Sequence, residues 1–243
     1  ASPTRAVIAG GYGNNPYPQS NVIEFVTIAT TGNATDFGDL TQARSSSNGL
    51  SNSTRGIIAG GYTFPGTTTY YNIIEFVTIA TTGNATDFGN MSTDVYGCGM
   101  TASSTRGIVM GGYDPSVASN NNRIEFVTIA SQGNSQDFGD MTVGRSNSSV
   151  SGNQTRAVAV CGAKTPGTSN VMDYVTIAST GNAVDFGDHY EEDSNSSDGG
   201  CGSPTRGICH LRTPNNNGNF YYYNIATTGN TAEFSDKAIS GNN

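Results

Sequence analysis

The stretch Ile23-Glu24-Phe25-Val26-Thr27-Ile28-Ala29-Thr30-Thr31-Gly32-Asn33-Ala34-Thr35-Asp36-Phe37-Gly38 returns almost unchanged at residues 74–89. It returns with small changes at 124–139 and 172–187, and in worn form at 223–235. A Thr-Arg pair keeps the same beat at Arg5, Arg55, Arg106, Arg156 and Arg206, with spacings of 50, 51, 50 and 50 residues. A unit of about fifty residues is too small to bury its own apolar faces, so neighbouring units must cover one another. The repeat therefore predicts a single domain over residues 1–243.

Each unit reads alike. It opens with Thr-Arg, a β-branched run and a glycine pair, as in Thr54-Arg55-Gly56-Ile57-Ile58-Ala59-Gly60-Gly61-Tyr62. A polar loop of variable length follows, then a second β-rich run (residues 73–80), a turn at Gly83-Asn84 and a short third run (residues 85–91). A Ser/Gly/Asn-rich segment such as residues 44–52 leads into the next unit. β-Branched and aromatic residues punctuated by Gly and Asn make strands and hairpins, and no stretch has helical periodicity. Runs such as Phe76-Val77-Thr78-Ile79 are apolar on both alternations, which fits sheets covered on both faces. Four short strands per unit, in sheets packed face to face, predict an all-β, five-bladed β-propeller of four-stranded antiparallel blades. If the Ser/Gly-rich segment is the innermost strand, residues 238–243 complete the first blade and the ring is closed by strands from both termini. The competing expectation is an open array that continues into neighbouring molecules.

Composition removes several function classes. The formal charge is −8, the two lysines are Lys164 and Lys237, and the arginines are spread along the array. Nucleic acid and anionic membrane surfaces both call for clustered positive charge, so neither is an expected partner. No apolar run approaches the length of a membrane span. Cys98, Cys161, Cys201 and Cys209 have no C-x-x-C spacing, so neither a zinc site nor another cofactor is expected. Cys201 and Cys209 flank the turn Ser203-Pro204-Thr205-Arg206 and are either small buried thiols or a cross-hairpin disulfide.

Ala43-Arg44-Ser45 and the later Gly56-Ile57-Ile58-Ala59-Gly60-Gly61-Tyr62 resemble the kelch repeat, whose second strand ends in a glycine pair. Kelch repeats carry Trp on the outer strand, where this chain has Phe37, Phe88, Phe138, Phe186 and Phe234. The fuller string, Thr-Arg-Gly-x-x-x-Gly-Gly-Tyr with Val-Thr-Ile-Ala-Thr-Thr-Gly-Asn-Ala-x-Asp-Phe-Gly-Asp-Leu, is similar to kelch-like repeat proteins encoded by tailed bacteriophages, especially of aquatic bacteria. That resemblance spans the whole chain and implies a virion or surface component without an enzymatic role.

Few residues carry chemistry. Asp36-Phe37-Gly38 has the letters of a kinase metal-binding triplet, but it recurs without a nucleotide loop beside it. It reads instead as a buried aromatic knob whose Asp satisfies a turn. Glu24, Glu75, Glu125 and Asp173 recur in the second run, and with the repeated arginines they would pair or bind backbone groups between blades. A glycosidase needs two carboxylates converging in one cleft, which acids spread evenly round a ring do not supply. The dense acidic stretch Asp188-His189-Tyr190-Glu191-Glu192-Asp193 lacks a calcium-loop spacing and reads as a solvated loop. No catalytic or metal-ligating residue is expected.

The repeat divides into constant and variable parts. In a four-stranded blade the one–two and three–four turns share one face of the disc, and their Thr-Arg-Gly and Thr-Thr-Gly-Asn strings barely change. The two–three and four–one loops share the opposite face and differ in every copy, as a binding surface on a fixed scaffold would. There Tyr17, Phe64, Tyr70, Tyr71, Tyr96 and Tyr190 are the candidate contacts for a glycan or a protein. Tyr12, Tyr62 and Tyr113 each follow a glycine pair and are expected to pack under their loops. The expected function is a non-enzymatic structural or adhesion module, in a virion or extracellular. Its partners would be other assembly proteins, copies of itself or surface glycans. A self-assembling filament or surface-layer subunit is the alternative, ahead of a glycan-active propeller enzyme.

Overall fold

The repeat folds into five antiparallel blades, laid down in chain order as a β-propeller, with no helix among the described residues. The computed structural model describes residues 2–12, 19–64, 66–193, 200–211 and 219–235. Blade 2 sets the pattern, with sheet order β4 (Asn48–Ser51), β5 (Arg55–Ala59), β8 (Ile73–Thr78) and β9 (Thr86–Asn90) from the axis outward. A hairpin of β6 (Tyr62–Thr63) and β7 (Thr69–Tyr70) projects from its two–three connection. Blade 3 repeats this with β10 (Gly99–Ala102), β11 (Arg106–Met110), β14 (Arg123–Thr128) and β15 (Gln136–Asp140), and with the hairpin β12 (Tyr113–Asp114) and β13 (Ser119–Asn120). Blade 4 comprises β16 (Ser149–Gly152), β17 (Arg156–Ala163), β18 (Thr168–Thr176) and β19 (Val184–Asp193). Blade 5 comprises β20 (Gly200–Gly202), β21 (Arg206–Leu211), β22 (Asn219–Asn224) and β23 (Ala232–Ser235). Blade 1 contributes β1 (Arg5–Ala9), β2 (Val22–Thr27) and β3 (Thr35–Asp39). The closing strand expected at residues 238–243 lies outside the described residues.

Local chemistry explains the constant turns. Between strands one and two, the Asn52 carboxamide oxygen accepts from the Thr54 and Arg55 amides at 2.9 and 2.8 Å, and Asn153 repeats the arrangement. These side chains imitate a backbone turn. At each Asp-Phe-Gly the outer strand bulges by one residue, the Phe being the extra one between the partners of Ile74 and Glu75 in blade 2. The facing glycine has a positive φ, 147° at Gly38 and Gly89 and 144° at Gly139 and Gly187.

That glycine also decides how blades meet. A Cβ added to Gly38 would lie 2.5 Å from the Gly83 carbonyl carbon of the next blade, and one on Gly139 would lie 2.5 Å from that of Gly181. Beside the contact, the amides of Gly83, Gly133, Gly181 and Gly229 donate to the carbonyls of Phe37, Phe88, Phe138 and Phe186, each at 2.7 Å. Those four phenylalanines are buried knobs, as expected, at 2–3% exposure. Phe234 is the exception at 53%. No next-blade backbone reaches it among the described residues, and its following residue is Ser235 instead of glycine.

Charged residues reinforce the same seam. Arg5 donates to the carbonyls of Ile79 and Ala80 in the next blade at 3.1 and 3.0 Å, and its guanidinium sits 4.4 Å from the Phe25 ring centroid. Arg55, Arg106 and Arg156 repeat both contacts, so of the two roles expected for the Thr-Arg arginines they bind backbone. Two of the recurring acids pair with other arginines. Glu75 meets Arg44 at 2.5 Å and Asp173 meets Arg145 at 2.8 Å, with all four side chains fully buried. Burial lowers the pKa of Arg145, and the facing Asp173 carboxylate works against that shift. The acids also hold the incoming linker: Glu75 accepts from the Thr41 amide at 2.8 Å, Glu125 from the Ser92 amide at 3.1 Å and Asp173 from the Thr142 hydroxyl at 2.7 Å. In blade 3 the arginine position is Val95, which is buried.

The acidic stretch at 188–193 corrects the sequence reading, because it continues strand β19 and is not a loop. Its His189 is buried edge-on against Tyr221, with ring centroids 4.4 Å apart, which anchors the extension.

Gly139→Ala should destabilise the chain by about 2 kcal/mol or more, from φ strain and backbone collision, and lower Tm by about 4 °C or more. Gly32→Ala, where an added Cβ meets nothing, should leave Tm unchanged in the same calorimetric scan. Arg145→Met alone should cost about 3–5 kcal/mol because it strands a buried carboxylate. The double change with Asp173→Leu should recover most of that loss, as read by denaturant titration.

Candidate functional site

The second strands of blades 1, 2 and 3 end in a glycine pair, which is Cys161-Gly162 in blade 4. Gly60 and Gly61 have φ of 67° and 101°, and a Cβ on Gly61 would lie 2.6 Å from the Ser45 carbonyl. The turn seats Tyr62 in a two-way backbone bridge with Ser45, both hydrogen bonds at 3.0 Å. The corresponding bridges in blades 3 and 4 join Tyr113 to Tyr96 and Ala163 to Ser146. Position 96 is thus a tyrosine where its counterparts are Ser45 and Ser146, and this single exchange builds an aromatic row.

The row crosses the first three blades on the variable face. The hydroxyls of Tyr12 and Tyr62 hydrogen-bond to each other. Tyr62 lies 5.1 Å from Tyr96 in an edge contact, and Tyr70 stacks on Tyr96 at 5.7 Å with an interplanar angle of 16°. Tyr113 closes the row 5.2 Å from Tyr96. Four of the rings are half-buried and Tyr12 is exposed. The Tyr62 pKa is raised, first by the hydrogen bond it shares with Tyr12 and then by burial. The Tyr96 pKa is raised by burial and then by its tyrosine neighbours. Both phenols therefore stay neutral beyond the ordinary tyrosine range near pH 10.

Beside the row the axis opens into a cavity of about 550 Å³, lined by Tyr62, Tyr96, Asn48, Ser47, Asn147 and Ser149 among others, with no charged side chain among the described residues of its wall. Asn48 donates to the Cys98 carbonyl at 2.9 Å across the blade boundary, so its carboxamide is held at the rim. The Ser149 hydroxyl is buried in the wall and has no protein hydrogen-bond partner. It would collide with a Cβ at Gly200, so the inner strands crowd together here only because that position is glycine.

Of the residues singled out from sequence, Tyr70 and Tyr96 come together in this row. Tyr71 faces inward in the same hairpin, its hydroxyl accepting from Thr63 at 2.9 Å. Phe64 lies exposed beyond β6, and its amide donates to the Gln19 side chain at 2.8 Å. Tyr190 sits on the outer strand of blade 4, 80% exposed and without a ring contact to the row. Tyr17 lies outside the described residues. Tyr12 is exposed and bonds to Tyr62 of the next blade, which corrects the expectation that it packs under its loop; Tyr62 packs both on Tyr70 of its own hairpin and on Tyr96 of the next blade, and Tyr113 packs on Tyr96. Their shared place after a glycine pair was the available signal. Asn48 and Ser149 were missed, since Asn and Ser are too common here to stand out.

None of the four cysteines is in a disulfide. Cys201 pairs across the hairpin with Ile208 and Cys209 with Gly200, so the two sulfurs leave opposite faces of the sheet, and the Cys209 thiol donates to the Tyr221 carbonyl at 3.8 Å. Burial pushes the Cys98 and Cys209 thiols up to about 12. No protein-family model matches the chain, and no curated protein matches it.

Alkylation of the native chain at neutral pH should modify Cys201 alone, the other three being buried. Mass spectrometry should find one modified site before denaturation and four after it.

Proposed function

We propose that the chain is a non-enzymatic binding module that holds a neutral glycan on its variable face. The observation that carries this reading is the tyrosine row beside an uncharged axial cavity rimmed by Asn and Ser. Sugars present apolar C–H faces that stack on aromatic rings, and hydroxyls that pair with carboxamides and serines. Among the described residues, the wall supplies Asn and Ser groups suited to hydroxyls and no cation or carboxylate. Glu75 and Asp173 are spent on arginines inside the scaffold. The kelch-like string, and its likeness to repeat proteins of tailed bacteriophages, supports placing such a module on a virion or other extracellular assembly. There it would serve adhesion while other assembly proteins anchor it.

The test is a glycan array probed with the native chain, followed by titration of any hit. Tyr96→Ala should weaken binding by about tenfold, the equivalent of roughly 1.4 kcal/mol, because it removes the centre of the row. Tyr190→Ala should bind as the parent does. A bare array, or a hit indifferent to Tyr96→Ala, would reject the proposal.

A further inference from the structure

The tyrosine row gathers phenols closely enough for a reaction among themselves. Tyr96, on the linker that enters blade 3, is its hub: the ring centroids of Tyr62, Tyr113 and Tyr70 lie 5.1, 5.2 and 5.7 Å from its own. The backbone holds these rings side by side. Tyr62 pairs directly with Tyr70 across the blade 2 hairpin, and Tyr113 bridges to Tyr96, so each pair shares a face. Tyr62 and Tyr70 have centroids 6.0 Å apart, and the Tyr12 hydroxyl is bonded to that of Tyr62.

The chain offers a one-electron oxidant few better targets. Tryptophan and accessible thiols surrender an electron more readily than a phenol does, but the sequence contains no Trp. Cys98, Cys161 and Cys209 are buried, which leaves Cys201 as the exposed thiol. A neutral phenol that loses an electron must also shed its proton. The bond shared by Tyr12 and Tyr62 ends on a residue 57% exposed, so that proton has a route to water.

Tyrosines elsewhere are placed differently. Tyr174 and Tyr223 both pack on Phe186, and Tyr222 packs on Phe234. Phenylalanine cannot form a phenoxyl radical, so these contacts have no partner for coupling. Tyr190 is 80% exposed on the outer strand of blade 4 and serves as a reference for an open tyrosine.

We propose that the row is an oxidative modification site, where a dityrosine bond joins Tyr96 to Tyr62 or Tyr70 and ties the blade 2 hairpin to the linker entering blade 3. The co-reactant is a diffusible one-electron oxidant, two equivalents for each bond. Each of two phenols gives one electron to one equivalent and its O–H proton to water, becoming a phenoxyl radical. The radicals combine through one ortho carbon of each ring. The hydrogen on each of those carbons then moves to the ring oxygen, which restores both hydroxyls and both aromatic systems. In sum, one C–C bond forms, two C–H bonds break, and two electrons and two protons leave. Rotation of half-exposed rings, on the order of picoseconds to nanoseconds, presents their ortho edges without moving the backbone. The closed covalent loop restricts the unfolded chain, so the cross-linked protein resists denaturant better than the parent. This chemistry does not depend on the glycan reading.

The test oxidises the full chain, carrying Cys201→Ser, with photo-oxidised ruthenium tris-bipyridine and persulfate as the final electron acceptor. The protein is kept dilute so that coupling within one chain prevails. Expected are dityrosine fluorescence, an intact single chain lighter by two hydrogen atoms, and a cross-linked peptide pair containing Tyr96 with Tyr62 or Tyr70. The product should unfold at a higher urea midpoint. Tyr96→Phe, which keeps the ring and its packing, should abolish the intramolecular product, and Tyr190→Phe should leave its yield unchanged. Absence of dityrosine overturns the proposal. So does a yield unaffected by Tyr96→Phe, a bond confined to Tyr96 and Tyr113, or a product formed only between chains.

Discussion

Successive blades touch backbone to backbone, and most of the architecture follows from allowing that approach. At Gly38 and Gly83, and at the equivalent pairs in the next three boundaries, the chains come closer than any β-carbon permits. The approach places an amide-to-carbonyl hydrogen bond beside each of the four buried phenylalanines. Arginine then covers the open side of the seam, stacked on an aromatic ring and bonded to carbonyls that would otherwise be left without partners. The carboxylate across from each bulge takes the linker leaving the previous blade, so the seam and the path to the next inner strand are fixed together.

This division of labour leaves one face free to differ. The one–two and three–four turns are committed to side-chain-capped turns and inter-blade contacts, so their residues are constrained in every copy. The opposite loops carry less of this duty, chiefly through the buried Arg44 and Arg145 of the four–one linkers. A change there, such as Tyr96 in a register where the other blades have serine, alters the surface without disturbing the scaffold. Five tyrosines from three blades can then gather at the axis although they are up to about a hundred residues apart in sequence.

Much of this was legible in the sequence, for a physical reason. Strand, turn and glycine pair are local features, and a fiftyfold spacing repeats each local signal five times. Long-range pairing was less visible. Arg44 lies on the linker into blade 2 and Glu75, 31 residues later, on that blade's third strand, and blade 3 has Val95 at the arginine position, which hides the pattern. The acidic run at 188–193 looked like a solvated loop by charge alone, but packing of His189 against Tyr221 extends the strand through it.

The sequence by itself determined the fold class, the number of blades, the blade order and the turn chemistry, because these depend on period and on residues close along the chain. It also marked the fifth unit as different, through Ser235 in place of glycine. Only the tertiary structure decided which tyrosines meet, where the axial cavity opens, and which arginine each buried acid holds. Those outcomes depend on the rotation of one blade against the next, and that rotation is set by a close backbone contact that no single repeat contains.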